Sequence, residues 1–258
     1  MLWLILLKFL CRLTLGLAAA MWVTPHQRVT SGYYRVHLWV LLGVNTFASL
    51  VAWTTCRGME NGAIILMSVV AAAVLSYAGA VCWLYEAPRP GKIALLLVAV
   101  CGLLGAQSVQ TSPNQSVAWT NLWGLADNAS AGLLIGASLA AMFLGHWYLN
   151  NPSMQLAPLK RLVVLILVAV IFRTAVAGSC LAAELSLGEE VERSFWAIAS
   201  LRWLAGIVGT AVLSIMTWQT LKIPNTQSAT GILYVGVIFV FLGELTSQLI
   251  TPYAHFPL

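Results

Sequence analysis

Two stretches of this chain decide its fold: LRWLAGIVGTAVLSIM at residues 201–216 and ILYVGVIFVFLGELTSQLI at residues 232–250. With their flanks, both are apolar runs long enough to form helices that cross a lipid bilayer. Each nevertheless contains an ionisable residue, Arg202 in the first and Glu244 in the second. An unpaired charge in hydrocarbon is costly, so such residues face a packed interior or a wet cavity. The pattern therefore predicts a helical membrane protein with a polar interior.

The composition extends this prediction to the whole chain. Of the 258 residues, 60% are hydrophobic and only 8% are charged, and the mean hydropathy is +0.87. A soluble globular domain has about a quarter of charged residues, so this composition excludes a soluble protein. We predict the all-α class, with about eight transmembrane helices in one polytopic helical-bundle domain over residues 1–258 and no soluble domain. The lipid bilayer is then the first partner of the chain.

The predicted spans are the apolar runs of about 20 residues. They cover residues 3–23, 35–54, 61–85, 93–107, 128–149, 160–181 and 195–221, and a last run that begins after Ser228. Ser228 is the predicted N-cap of that last helix. We expect a tight loop at residues 86–92, which contain two prolines and a glycine. Residues 108–127 are predicted to be the longest polar connection.

The first run carries two cations, Lys8 and Arg12, one helical turn apart. A cleaved signal peptide has its positive charges before the apolar stretch, whereas this sequence begins MLWLILL. One interpretation is a retained span that turns both cations toward the bundle. The other is a basic amphipathic segment over residues 1–12 that lies on the membrane surface. The order of charges favours the retained span.

The charges of the connections set the predicted orientation. Connections after the odd-numbered spans hold, with their flanks, Arg28, Arg35, Arg89, Lys92, Lys160, Arg161 and Lys222. The opposite side holds only Arg57 and Arg193. Because Lys and Arg collect on the cytoplasmic side, we predict a multi-pass protein of the bacterial inner membrane with both termini in the periplasm. The formal charge of +5 reflects this bias, and the absence of a clustered basic patch excludes a nucleic-acid partner.

Residue counting places Arg173, Arg202 and Glu244 in one layer near the outer face, at about 1.5 Å of helix per residue. In a structural interpretation, Glu244 forms an ion pair with Arg202 or Arg173, and Arg202 is the favoured partner because a short loop joins its span to that of Glu244. In a functional interpretation, the three residues and Gln248 line a ligand- or proton-binding pocket. Its excess of positive charge suits an anionic or carbonyl-bearing ligand. The sequence leaves both interpretations open.

Cofactor motifs are absent from the sequence. A b-type haem needs two axial ligands at equal depth on facing helices, and only His37 and His146 meet the depth requirement. We expect interfacial histidines and no haem b. No cysteine belongs to a CxxC motif or a Cys/His cluster, so neither a metal site nor a disulfide framework is expected. No nucleotide-binding motif or nucleophilic catalytic motif occurs either.

In helix count and in its charges near the outer face, the chain resembles the eight-helix membrane anchors of molybdenum-enzyme oxidoreductases. That resemblance implies quinol oxidation near the outer leaflet without haem. The loops are too short to carry chemistry alone, which favours membrane or periplasmic partner subunits. The leading hypothesis is therefore a membrane subunit of a respiratory or other multiprotein complex, with an outer-leaflet quinone pocket. A second hypothesis is a small transporter that uses Arg173, Arg202 and Glu244 for substrate or proton coupling, although every proline falls in loops or at helix ends. A third is a membrane scaffold or assembly protein without a ligand.

Overall fold

The computed structural model describes residues 1–110, 117–151, 154–187, 193–223, 225–254 and 256, and this part of the chain is helical, with no strand. The helices are α1 (Leu2–Val23), α2 (Ser31–Thr55), α3 (Gly62–Leu84), α4 (Pro88–Ser108), α5 (Val117–Asn150), α6 (Ala157–Ser186), α7 (Arg193–Leu201), α8 (Thr210–Thr220) and α9 (Thr226–Ile250). A π-helical segment, Arg202–Gly209, joins α7 to α8, so that the three form the seventh rod. A 3-10 turn, Thr251–Tyr253, follows α9.

Eight of these rods are long and apolar enough to cross a membrane. Their outer faces carry large exposed apolar side chains, among them Trp39, Phe47, Ile171 and Ile238. Apolar side chains on the outside of a bundle suit contact with lipid. The prediction of an all-helical chain with eight such helices is confirmed, and the composition of the helices suggests a multi-pass membrane protein.

The first predicted span is a single helix that enters the bundle from its first turn. Within α1, Ile5, Leu7 and Phe9 are buried, and Arg12 is only 2% exposed. A segment lying on the membrane surface would leave its basic side exposed to water. The amphipathic interpretation of residues 1–12 is therefore wrong for Arg12, which turns toward the bundle as in a retained span.

Three predicted boundaries need correction. Residues 88–92, expected in a tight loop, form the first turn of α4, where proline costs no hydrogen bond; the turn before them is made at Glu86, whose φ is +54°. The N-cap of α9 is Asn225 rather than Ser228: its side chain accepts a hydrogen bond from the Ser228 backbone N–H. Helix α5 begins before residue 128, so Asp127 lies inside a helix and not in a polar connection.

The helices form two rings of four. In the first ring, α1 to α4 pack side by side and α4 closes back on α1. In the second ring, α5, α6, the seventh rod and α9 follow one another, and α9 closes back on α5. The rings meet where α1 packs on α5. These two helices are the most enclosed, with 67% and 78% of their most apolar windows buried, against 39% to 44% for the other six.

Glycines let the backbones approach closely where the rings meet. A Cβ added to Gly16 of α1 would lie 1.6 Å from the carbonyl oxygen of Gly132 in α5, and one added to Gly136 would lie 1.7 Å from the Gly16 carbonyl carbon. A second close crossing joins the π-helical segment to α9, where a Cβ on Gly243 would lie 2.2 Å from the Cα of Gly206. Such small-residue contacts are typical of helix packing in membranes. Both crossings lie within two turns of the charged residues described next.

Candidate functional site

Four buried charged side chains meet between the two rings. Arg12 comes from α1, Asp127 from α5, Arg173 from α6 and Glu244 from α9, and none of them is more than 4% exposed. Arg12 and Arg173 lie near the middle of α1 and α6, and Asp127 and Glu244 lie toward the end of the bundle at which α1 begins and α9 ends. Charges so far from water need partners on neighbouring helices. We call this set the charge layer.

Arg173 is the centre of the charge layer. Its Nε donates to Glu244 Oε1 at 2.7 Å and its Nη2 donates to Glu244 Oε2 at 2.8 Å, which makes a two-pronged guanidinium–carboxylate pair. Its Nη1 donates to Asp127 Oδ1 at 2.5 Å, and Nη2 also donates to Ser247 Oγ at 3.1 Å. One guanidinium therefore joins both buried carboxylates.

Arg12 extends this network into the first ring. Its Nη2 pairs with Asp127 Oδ2 and its Nε donates to Asn128 Oδ1 at 2.8 Å. The Asn128 amide in turn donates to Gln107 Oε1 of α4 at 2.9 Å. Arg12 Nη1 lies 3.8 Å from Glu244 Oε2, within ion-pair distance. Cations and carboxylates thus alternate in the order Arg12, Asp127, Arg173, Glu244 across four helices.

The ion pair expected for Glu244 forms with Arg173, and the preference for Arg202 was wrong. Both Glu244 oxygens already accept from Arg173. The Gly206–Gly243 crossing also brings the backbone of the π-helical segment onto α9: a Cβ on Gly243 would lie 3.5 Å from the Arg202 carbonyl oxygen. Proximity along the chain therefore brings the main chain of Arg202, rather than its guanidinium, against the turn that carries Glu244.

Arg202 and Gln248 are buried side chains with polar atoms that find no hydrogen-bond partner among the described residues. Each is 3% exposed, and Arg202 Nη2 and both Gln248 amide atoms make no hydrogen bond within the part of the chain that the structure describes. Gln248 lies one turn beyond Glu244 on α9, and the antiparallel Gly206–Gly243 crossing brings Arg202 to a similar level. A buried donor left unsatisfied costs about 1–3 kcal/mol. These two side chains therefore leave hydrogen-bonding capacity unused.

An apolar cluster surrounds this end of the second ring. Its buried members are Val176, Cys180, Ala199, Ile250 and Ala254, with Trp123 and Phe195 among the side chains packed against it. Several of these residues lie within one turn of Arg173, Arg202 or Gln248 in the sequence. The helix turns that carry the unpartnered polar groups thus also carry buried apolar side chains, which exclude water.

The charge layer and its neighbours hold more cations than carboxylates. Lys8 lies one turn before Arg12 on α1 and is half-buried, and no carboxylate of the described residues lies within 4 Å of its ammonium. With Arg202 this gives four cations, whereas Asp127 and Glu244 are the carboxylates of the layer. The surplus favours a ligand that offers negative charge or hydrogen-bond acceptors.

The two membrane histidines are not brought together. His37 is buried, its Nδ1 lies 2.6 Å from the Tyr33 carbonyl oxygen, and its ring packs on Phe143. His146 is exposed and its Nδ1 lies 3.4 Å from the Tyr234 hydroxyl. Each ring thus has its own neighbours rather than the other histidine. No group of three metal-ligating side chains occurs in the described part of the chain.

Asp127 and Arg12 belong to the charge layer but not to the site predicted from the sequence, and for Asp127 no role in the bundle interior was expected. As the last residue of a long polar connection, it resembled an ordinary loop acid. A usable signal was present: Gly132 and Gly136 form a GxxxG pair, which marks a close helix contact in membranes. Asp127 lies just over one turn before that pair, and Arg12 one turn before Gly16. No protein-family model, curated protein or solved structure matches this chain.

Proposed function

We propose that this chain is the membrane subunit of a respiratory or similar electron-transfer complex, and that it binds a quinone beside the charge layer. The observation that carries the proposal is the pair of unpartnered donors, Arg202 Nη2 and Gln248 Nε2, at the apolar end of the second ring. A quinone carbonyl oxygen would accept a hydrogen bond from either donor and so remove the cost of leaving it unsatisfied.

The chemistry around these donors favours a quinone over a small inorganic anion. A quinone is an apolar ring with two carbonyl acceptors, so the apolar cluster suits its ring and the donors suit its oxygens. A small hydrated anion would have to give up its water to enter the same place, and the apolar side chains would return little in exchange. Glu244, held by Arg173, is the carboxylate nearest in sequence to Gln248 and is a candidate proton acceptor.

The proposed orientation puts this pocket in the outer leaflet of a bacterial inner membrane. Seven Lys and Arg residues at one end of the bundle support it through the positive-inside rule. Reporter fusions after Pro90 and Pro158 are expected to be active in the cytoplasm, and fusions after Asn114 and Gly188 in the periplasm. A cytoplasmic signal at Gly188 would overturn this orientation.

Quinone retention tests the proposal directly. The protein is purified in mild detergent from cells that contain quinone, and the bound quinone is extracted and quantified. Wild type is expected to retain quinone. Gln248→Leu is expected to retain much less, because the loss of one hydrogen bond weakens binding about tenfold. Gln219→Leu is the matched control, because Gln219 is exposed on α8 of the same ring. Wild type without quinone, or equal retention in Gln248→Leu, would contradict the proposal.

The same preparation tests the cofactor and partner proposals. A dithionite-reduced spectrum is expected to show no b-type α band; a band that disappears in His37→Ala and in His146→Ala would show that haem is bound. Co-purifying membrane or periplasmic subunits are expected, because the short connections of this chain offer little room for redox chemistry of their own.

Transport of a small anionic solute is the second candidate function. It is favoured by the surplus of cations at the charge layer, in particular by Arg202, which no carboxylate pairs within 4 Å among the described residues. Transport would be favoured if wild-type protein took up an anion into proteoliposomes, if Arg202→Gln abolished this uptake, and if the wild-type protein held no quinone. A protein with neither uptake nor quinone would fit the scaffold hypothesis.

A further inference from the structure

A small cavity lies inside the second ring, well away from the charge layer. It is lined in part by four hydroxyl-bearing residues, Ser138 of α5 and Thr210, Ser214 and Thr217 of α8, and by Gly236 of α9. The space open to a water-sized molecule is about 10 Å³, enough for one such molecule. Gly236 precedes Glu244 by eight residues on α9, which is about 12 Å of helix. The cavity is therefore separate from the proposed quinone pocket.

Ser138 differs from the other hydroxyls of the cavity. Thr210, Ser214 and Thr217 each donate to a backbone carbonyl four or five residues earlier. Ser138 is 3% exposed, and its Oγ has no hydrogen-bond partner among the described residues. A buried hydroxyl without a partner is costly, and three further hydroxyl-bearing residues line the otherwise apolar cavity beside it. This combination is that of a site for a bound polar molecule.

We propose that this cavity binds one water molecule, held by Ser138 and by the free lone pairs of the hydroxyls on α8. Water supplies both a donor and an acceptor, so it satisfies Ser138 and donates to oxygens that already use their own protons. A metal cation is disfavoured because no carboxylate lines the cavity and the charge layer about 12 Å away has surplus cations. The proposal does not rest on the proposed function.

Two glycines of α9 provide a matched pair of variants. Gly236 lines the cavity, and a Cβ there would meet no atom of the described residues within 4 Å, so Gly236→Ala puts a methyl group into the cavity from its wall without a clash. A Cβ at Gly231 also meets no atom within 4 Å, but Gly231 is exposed and is not among the residues that line the cavity. Both changes add one methyl group to the same helix, and only one of them displaces the proposed water.

X-ray radiolytic footprinting of the full chain in detergent gives the measurement, because radiolysis converts a bound water into hydroxyl radicals that oxidise adjacent side chains. Leu233, which lines the cavity and is buried, is expected to be oxidised in wild type well above Leu17 of the dry core. In Gly236→Ala this oxidation falls to the Leu17 level, while Gly231→Ala keeps the wild-type level. If Gly236→Ala fails to fold, Ser138→Ala replaces it with the same expectation. Two results would overturn the proposal: wild-type Leu233 oxidised no more than Leu17, or Leu233 oxidation unchanged in the cavity variants. Either would mean that Ser138 donates its hydrogen bond within its own helix.

Discussion

The two rings share one connectivity but have different interiors. In the first ring most buried polar groups are neutral and paired: Thr14 Oγ1 donates to Asn45 Oδ1 at 3.1 Å, and the Asn45 amide donates to the Leu41 carbonyl at 2.8 Å. Trp83 Nε1 has no partner among the described residues, and the ionised Arg12 turns out of this ring to pair with Asp127 of the second. In the second ring the interior carries ionised side chains, and Arg202, Gln248 and Ser138 have atoms without partners among the described residues. A mostly neutral and paired interior suits a scaffold, whereas several unpartnered groups beside ionised side chains suit a ring that binds something else.

Loss of the central guanidinium is the strongest way to break the second ring. Arg173→Gln removes the guanidinium with which both buried carboxylates, Asp127 and Glu244, form ion pairs. Removal of one member of a buried ion pair costs about 3–5 kcal/mol, so a large fall in thermal stability in mild detergent is expected. The first-ring counterpart is Asn45→Ala. It removes two hydrogen bonds between neutral groups, and we expect it to lower the free energy of unfolding by about 1–3 kcal/mol. Equal losses in the two variants would contradict the contrast between the rings.

Overpacking the contact between the rings has the next largest expected effect. In Gly136→Ala the new methyl group meets the backbone at Gly16, which no side-chain rotation relieves. The rings must move apart and strain the Arg12–Asp127 pair, so we expect a loss of about 1–3 kcal/mol or more in unfolding measurements. Gly43→Ala on α2 is the control, because its Cβ meets no atom within 4 Å. Similar stability of the two variants would argue against a close contact between the rings.

A double-mutant cycle sharpens the assignment of the Glu244 partner. Glu244→Gln and Arg173→Gln remove the two ends of one pair, so their combined loss should fall short of the sum by about 0.5–3 kcal/mol. The cycle of Glu244→Gln with Arg202→Gln should be additive within about 0.5 kcal/mol, since that pair makes no direct contact within 4 Å. Coupling only in the second cycle would restore Arg202 as the partner.

The smallest expected effect concerns the start of α9, the helix that carries Glu244 and Gln248. Asn225→Ala removes the side-chain cap of the first turn and is expected to cost about 1 kcal/mol in thermal unfolding. Ser228→Ala should cost much less, because Ser228 contributes its backbone N–H to this cap and alanine retains that group. A larger loss in Ser228→Ala than in Asn225→Ala would return the cap to Ser228.

The sequence contains enough information for the helices and for part of the site. Apolar runs identify all eight rods, and residue counting places Arg173 and Glu244 at a common depth. The sequence does not show which helices are neighbours, because lipid-facing and buried positions are equally apolar in a membrane bundle. Which side chains meet also depends on the rotation of each helix about its axis. Arg202 has the predicted depth but does not pair with Glu244. Asp127 was missed because helix-compatible residues extend α5 beyond its apolar run.

The charge layer also has a consequence in time. Arg12 precedes Asp127 by 115 residues along the chain, and synthesis proceeds at roughly 5–20 residues per second. Arg12 is therefore made roughly 6–23 s before its carboxylate exists. Arg173 precedes Glu244 by 71 residues, an interval of roughly 4–14 s. During the first of these intervals α1 carries an unpaired guanidinium, which is costly in hydrocarbon. In a bilayer, α1 would gain the carboxylate partner of this guanidinium only when α5 has been made.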